Sequence, residues 1–182
     1  MNKALMILIS STAVLASTSA FAAKVYVSDA GRWHLDGYSD AGDIDNNACV
    51  LSTSWADGKR IQINVFPKYD GSSNVTMTVM NPEWDNSGWA VNTKFTTNLL
   101  FQSRTYGNKI LRGQAQVYTD QKIIFRGMTA VFAKQFIHSD SMTLFAGSED
   151  ELVVNLTGTA ALARELNACR EAVMGQAFDE NF

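Results

Sequence analysis

Residues 49–66 read CVLSTSWADGKRIQINVF, two runs of one character set about a short polar break. In RIQINVF, Ile61, Ile63 and Val65 fall on one side of an extended chain and Arg60, Gln62 and Asn64 on the other, the two-residue period of a half-buried strand. CVLSTSW is a second strand-like run. Between them stand Ala56, Asp57, Gly58 and Lys59. An Asp-Gly pair between two such runs marks a hairpin, because glycine takes the positive φ of a tight turn without steric cost. The stretch therefore predicts two antiparallel neighbours rather than a strand feeding a crossover helix.

The same period recurs on both sides. NVTMTVM aligns Val75, Met77 and Val79, and WAVNTKF puts Trp89, Val91, Thr93 and Phe95 on one face with Ala90, Asn92 and Lys94 on the other. RWHLD, ILRGQAQVY, QKIIFRG, SMTLFAG and ELVVNLTG are further candidate strands, with turn residues between them. Two stretches break the pattern. MTAVFAKQFIHSD sets Phe132 and Phe136 four apart and reads as a short helix or a bent strand. From Thr159, TAALARELNACREAVM places Leu162, Leu166, Cys169 and Val173 along one helical stripe. Gly175 reads as the C-cap of that helix and the residues after it as a frayed tail. The expected fold is mainly β, an antiparallel β-sandwich with a C-terminal α-helix packed on it, in a single domain over residues 23–182.

The first 22 residues, MNKALMILISSTAVLASTSAFA, carry the parts of an export signal: Lys3, an apolar run from Ala4 to Leu15, and Ala20-Phe21-Ala22 as a small-x-small cleavage site. The apolar run is too short to span a bilayer, and no later segment is apolar enough, so no membrane insertion is expected and the location is periplasmic or secreted. The chain carries 15 basic and 18 acidic residues, and Lys3 is the one charge in the signal, so the remainder is more acidic than the whole. That balance shows no concentrated basic patch and argues against nucleic acid or anionic lipid as partner. Exported chains fold where thiols oxidise, and the two cysteines, Cys49 and Cys169, are expected to pair. In the chain-entropy description such a long closed loop contributes up to about 5 kcal/mol. The alternative is two separately buried thiols.

The layout as a whole is similar to a known one. A signal peptide precedes a strand holding Trp33, then CVLSTSWADGKRIQINVFPKYDGSSNVTMTVMNPEW, then further strands, and finally LTGTAALARELNAC, in which a strand passes through Gly158 into a helix. This resembles the small periplasmic proteins of the invasion-associated locus B type of Gram-negative bacteria, although the mid-chain cysteine pair usual in that family is absent. The resemblance implies a β-sandwich without catalytic residues to carry over, and a role in the cell envelope or in host association.

No motif in the chain names a reaction, and no cofactor is implied. The acidic loop offers Asp36, Asp40, Asp43, Asp45 and Asn47, but the sixth position of a calcium loop is Ala48 and the twelfth Ser54, so the sharp turn and the bidentate carboxylate are missing. His34 and His138 have no second histidine or cysteine at ligand spacing, so no metal site is expected. A Ser-His-Asp set lacks a nucleophile elbow, and Glu149, Asp150 and Glu151 read as a charged turn. Trp33, Trp55 and Trp89 occupy strand positions and read as core. NPEWDNSGWA is different: it sets Trp84 among turn residues with Asp85 and Asn86 beside it, an aromatic and two polar groups suited to stacking on a sugar or anchoring a protein. Alternatively, Trp84 folds back over one end of the sandwich. The leading expectation is a non-enzymatic exported protein that binds a protein or cell-envelope component through loops at one end. A hydrolase of envelope polymers and a sugar-binding module using Trp84 are the alternatives.

Overall fold

A computed structural model describes residues 22–40, 46–68, 73–84, 90–145 and 151–179 of the chain. Its elements are β1 (Ala23–Ala30), β2 (Trp33–Ser39), β3 (Ala48–Ser54), β4 (Arg60–Pro67), β5 (Ser73–Met80), β6 (Lys94–Gln102), β7 (Lys109–Thr119), β8 (Lys122–Arg126), α1 (Ala130–His138), β9 (Ser141–Leu144), β10 (Leu152–Asn155) and α2 (Thr159–Asp179). The fold is mainly β, an antiparallel sandwich rolled from one ten-stranded sheet in the order β1-β2-β3-β4-β5-β8-β7-β6-β9-β10, with α2 packed on it. The sheet rolls far enough that its two ends meet. Trp33 on β2 donates its Nε1–H to the carbonyl of Asn155 on β10 (2.9 Å), and a Cβ on Gly158 would sit 2.3 Å from the carbonyl oxygen of Ala30. No strand pairing joins β1 to β10 among the described residues.

The hairpin of residues 49–66 is formed as its alternation dictates. Cys49 faces Val65, Leu51 faces Ile63 and Thr53 faces Ile61, while Gly58 takes φ +86° and its N–H bonds the Trp55 carbonyl. The inward sets of the other strands join the same core: Trp33 and Leu35, Met77 and Val79, Leu99 and Phe101, Ile123 and Phe125, Met142 and Leu144, and Val154. Each such side chain, fully withdrawn from water, contributes about 1.5–3 kcal/mol. Helix α1 starts at the cap Thr129, whose hydroxyl accepts the Phe132 N–H. It buries Phe132 against Phe101 and Phe136 against Trp33, edge to face.

Helix α2 covers the inner side of β1–β3. Leu162, Cys169 and Val173 are fully buried, Leu166 is partly so, and the Cys49–Cys169 disulfide (S–S 2.04 Å, separation 120 residues) ties helix to sheet. Gly37 lies opposite Cys49, and a Cβ there would meet Cys169 Sγ and Val173 Cγ1 at 3.0 Å and Tyr26 Cβ at 2.7 Å. The helix comes this close because position 37 has no side chain. Ser39 Oγ–H and Asn47 Nδ2–H both donate to the Val173 carbonyl, and the Tyr26 hydroxyl donates to Glu165 at 2.7 Å.

Four local expectations need correction. WAVNTKF is not a strand over its length: residues 91–92 form a turn with Asn92 at φ +72°, Val91 is 58% exposed, and β6 begins at Lys94. The left-handed asparagine, whose N–H bonds the Val117 carbonyl, breaks the alternation that composition suggested. Gly175 does not cap α2, which continues to Asp179, since no contact there calls for a positive φ. Trp55 stands just past the end of β3, half-buried rather than in the core. Finally, β1 is a strand absent from the candidates above, although AKVYVSDA does alternate.

Candidate functional site

Trp84 follows a turn in which its N–H bonds the Asn81 carbonyl, and its ring packs edge to face on Phe145 with centroids 5.3 Å apart. Phe145 in turn stacks with Phe95, so Trp84 closes one end of the core while remaining partly exposed. Asp85 and Asn86 lie outside the described residues, as do Trp89, Asp43, Asp45, Glu149, Asp150 and the signal segment up to residue 21.

A second aromatic lines an open groove where the β1–β2 turn, the β3–β4 turn and the end of β10 meet. One side, of about 200 Å³, is bounded by Arg32, Thr53, Trp55, Asn155 and Thr157. The other, about 710 Å³ and wide open, is bounded by Arg32, His34, Ser54, Trp55 and Asp57. Arg32 and Trp55 belong to both. Local chemistry holds the walls in place. Trp55 N–H bonds the Lys59 carbonyl, Asn155 Oδ1 accepts the Thr157 N–H, and Lys59 Nζ bridges Asp57 (2.9 Å) and Glu83 (2.8 Å). The Glu83 and Asp57 carboxylates keep the Lys59 ammonium above its ordinary pKa, and the Lys59 side chain and backbone N–H hold Asp57 below its own. His34 Nδ1 bonds Asp29. Arg32 alone among these charges makes no ion pair with a described residue.

The other candidates are placed differently. Asp36 pairs with Lys24 at 2.6 Å, and the Asn47 amide is used by the Asp40 N–H and the Val173 carbonyl, so these two serve the fold. No group of three or more His, Cys, Asp or Glu is arranged to hold a metal among the described residues. His138 packs on the Tyr106 ring at 5.6 Å. Asp29, His34 and Ser52 form one cross-strand row on the outer face of β1–β3, yet no hydrogen bond joins His34 to the Ser52 hydroxyl among the described residues. A nucleophile needs that bond to be activated.

What charge counting missed is a segregation. Among the described residues, strands β3 through β10 carry Arg60, Lys94, Lys109, Arg112, Lys122 and Arg126 and not one acid. Register puts most of these cations on the outer face: Arg60 opposite Met80, Met80 opposite Lys122, Thr76 opposite Arg126, Asn98 opposite Arg112 and Gln116 opposite Lys94. A shallow groove of about 290 Å³ lined by Lys94, Gln114 and Arg126 lies on this face, and a second of about 250 Å³ opens at its edge, between Arg112 on β7 and Gly127–Thr129 before α1. The signal was present as three acid-free strand runs, each with one or two cations, which the β6–β7 and β7–β8 pairings lay side by side. No helix of the described residues is long and apolar enough to cross a membrane. Comparison of the chain with family models, with characterised proteins and with solved structures finds no match.

Proposed function

We propose that the chain is an exported, non-enzymatic protein of the envelope or the extracellular space, and that it holds a protein or cell-envelope component at the groove between Trp55 and Arg32. The observation that carries this reading is the pairing of a half-buried indole with a cation that has no ion partner among the described residues, at the rim where three connections converge. An aromatic there offers large apolar area at low entropy cost, and an uncommitted guanidinium selects a carboxylate or phosphate. The remaining charges in the walls are engaged with each other, which suits recognition better than proton transfer. The buried disulfide supports an oxidising compartment. The layout shared with invasion-associated locus B-type proteins implies the same kind of role. Affinity capture from an envelope extract should recover one stoichiometric component with the wild type, and lose it with Trp55→Ala or Arg32→Glu while melting is unchanged. Recovery that depends on Trp84 instead would favour the sugar-binding module. The hydrolase reading draws on the Asp29–His34–Ser52 row, and it requires ester or amide turnover abolished by Ser52→Ala.

A further inference from the structure

We infer that the outer face of β8, β7 and β6 is a binding site for an acidic polysaccharide, separate from the Trp55 groove. Lys94, Arg112 and Arg126 are exposed and make no ion pair or hydrogen bond with a described residue, in a chain whose overall charge is −3. Such a protein does not accumulate unpaired cations on one face through composition. The acids that would neutralise them have been kept in turns, on β1 and β2, and on α2, with Asp120 in the β7–β8 turn at one end of the face.

The spacing suits an extended polyanion. Lys94 and Arg126 sit two strands apart, which is about 10 Å across a sheet, and Arg112 lies further along the neighbouring strand. In a polyuronate, which carries a carboxylate on every sugar, alternate carboxylates recur at about that interval. Between the cations the groove offers the Thr96 hydroxyl and the Gln114 and Gln116 amides, matched to sugar hydroxyls, beside a short apolar floor of Ile124 and Phe95 against which a sugar ring can lie. Single-stranded nucleic acid needs aromatic platforms for its bases, and the one tyrosine here, Tyr118, has the Lys122 ammonium 4.8 Å above its ring. A bilayer needs apolar groups to insert, and the exposed Ile110 and Met80 stand at the margins of the face. Charge complementarity with hydrogen bonding therefore selects the glycan.

The test uses the full chain with polygalacturonate as probe, beside a single-stranded DNA and phosphatidylglycerol vesicles, each titrated at low and high salt. Polygalacturonate should bind most tightly, weaken with salt, and lose roughly tenfold or more in affinity in Lys94→Glu/Arg126→Glu, because a reversed charge repels as well as fails to attract. Lys134→Glu, on the exposed side of α1, should leave binding intact. The Trp55→Ala variant should also bind normally, which separates this site from the groove. Circular dichroism melts identical to wild type establish that the reversed variant is folded, and Arg112→Gln provides a milder second variant. Absence of polygalacturonate binding, equal or tighter binding of DNA or vesicles, or indifference to the charge reversal would overturn the assignment.

Discussion

Strands β1–β3 and strands β6–β8 are both antiparallel three-stranded meanders in one sheet, and they treat charge and cover in opposite ways. In the first, Lys24 meets Asp36, His34 meets Asp29, and the inner side is sealed by a helix held covalently. In the second, the inner side is sealed by the roll of the sheet and by Phe132 and Phe136, and the outer cations have no acid beside them on any strand. Exposed ion pairs add little to stability, so the pairing of the first meander is not what holds it. The sulfur bridge and the buried stripe of α2 do that. By the same reasoning the open cations of the second cost the fold little and are available to a ligand.

The largest expected effect tests the covalent difference. Cys49→Ala with Cys169→Ala should lower the unfolding free energy by about 2–5 kcal/mol in urea titrations. Hydrogen exchange should then show α2 and β1–β3 losing protection first; equal loss over β6–β8 would break the comparison. A matched pair of glycines sharpens it. Gly37→Ala drives a Cβ against Tyr26 Cβ and a sulfur fixed by its bond, and should cost about 1–3 kcal/mol. Gly113→Ala meets the edge of the Phe125 ring and Leu99 Cδ1 at 3.0–3.1 Å, with no contact as short as the 2.7 Å one at position 37, and should cost less than Gly37→Ala in the same titration. Lys94→Glu/Arg126→Glu should fall within about 0.5 kcal/mol of wild type, since no partner is lost. The smallest effect is alkaline. The hydrogen bond to Glu165 raises the Tyr26 pKa above its ordinary 10.0, and the bond to Asp36 raises Lys24 above 10.5. A raised folded-state value means the contribution is whole below the unfolded pKa and fades as pH climbs through the folded one. Melting temperature should therefore drop slightly more steeply above about pH 10 than in Tyr26→Phe.

The strands at the centre of the sheet were legible because burial on one side writes a two-residue period, as in Ile61, Ile63 and Val65. The terminal helix was legible for the same kind of reason, and its cysteine could be assigned to Cys49 because two cysteines admit one pairing. WAVNTKF misled because an alternating string says nothing about φ, and Asn92 is one of the residues that tolerate the left-handed region. The single continuous sheet was not legible, since the joining of β5 to β8 and of β6 to β9 is long-range. The Trp55 groove was hidden for that reason too, because Asn155 and Thr157 reach it from the far end of the chain. The basic face is different: Lys94 and Arg126 are brought together by the successive β6–β7 and β7–β8 hairpins, and it went unseen because the cations were summed into a net charge instead of being placed on a side of each strand.

A sheet that rolls without closing keeps two rims, and each rim offers unsatisfied backbone groups to any passing extended segment. β10 limits its offer by having four residues. β1 has eight, but its register slips between Lys24 and Tyr26, and Lys24 and Asp29 stand exposed along it. A kinked, charged border is a poor template for lateral polymerisation. The open borders of the sheet are thus guarded by the geometry and charge of the strands themselves.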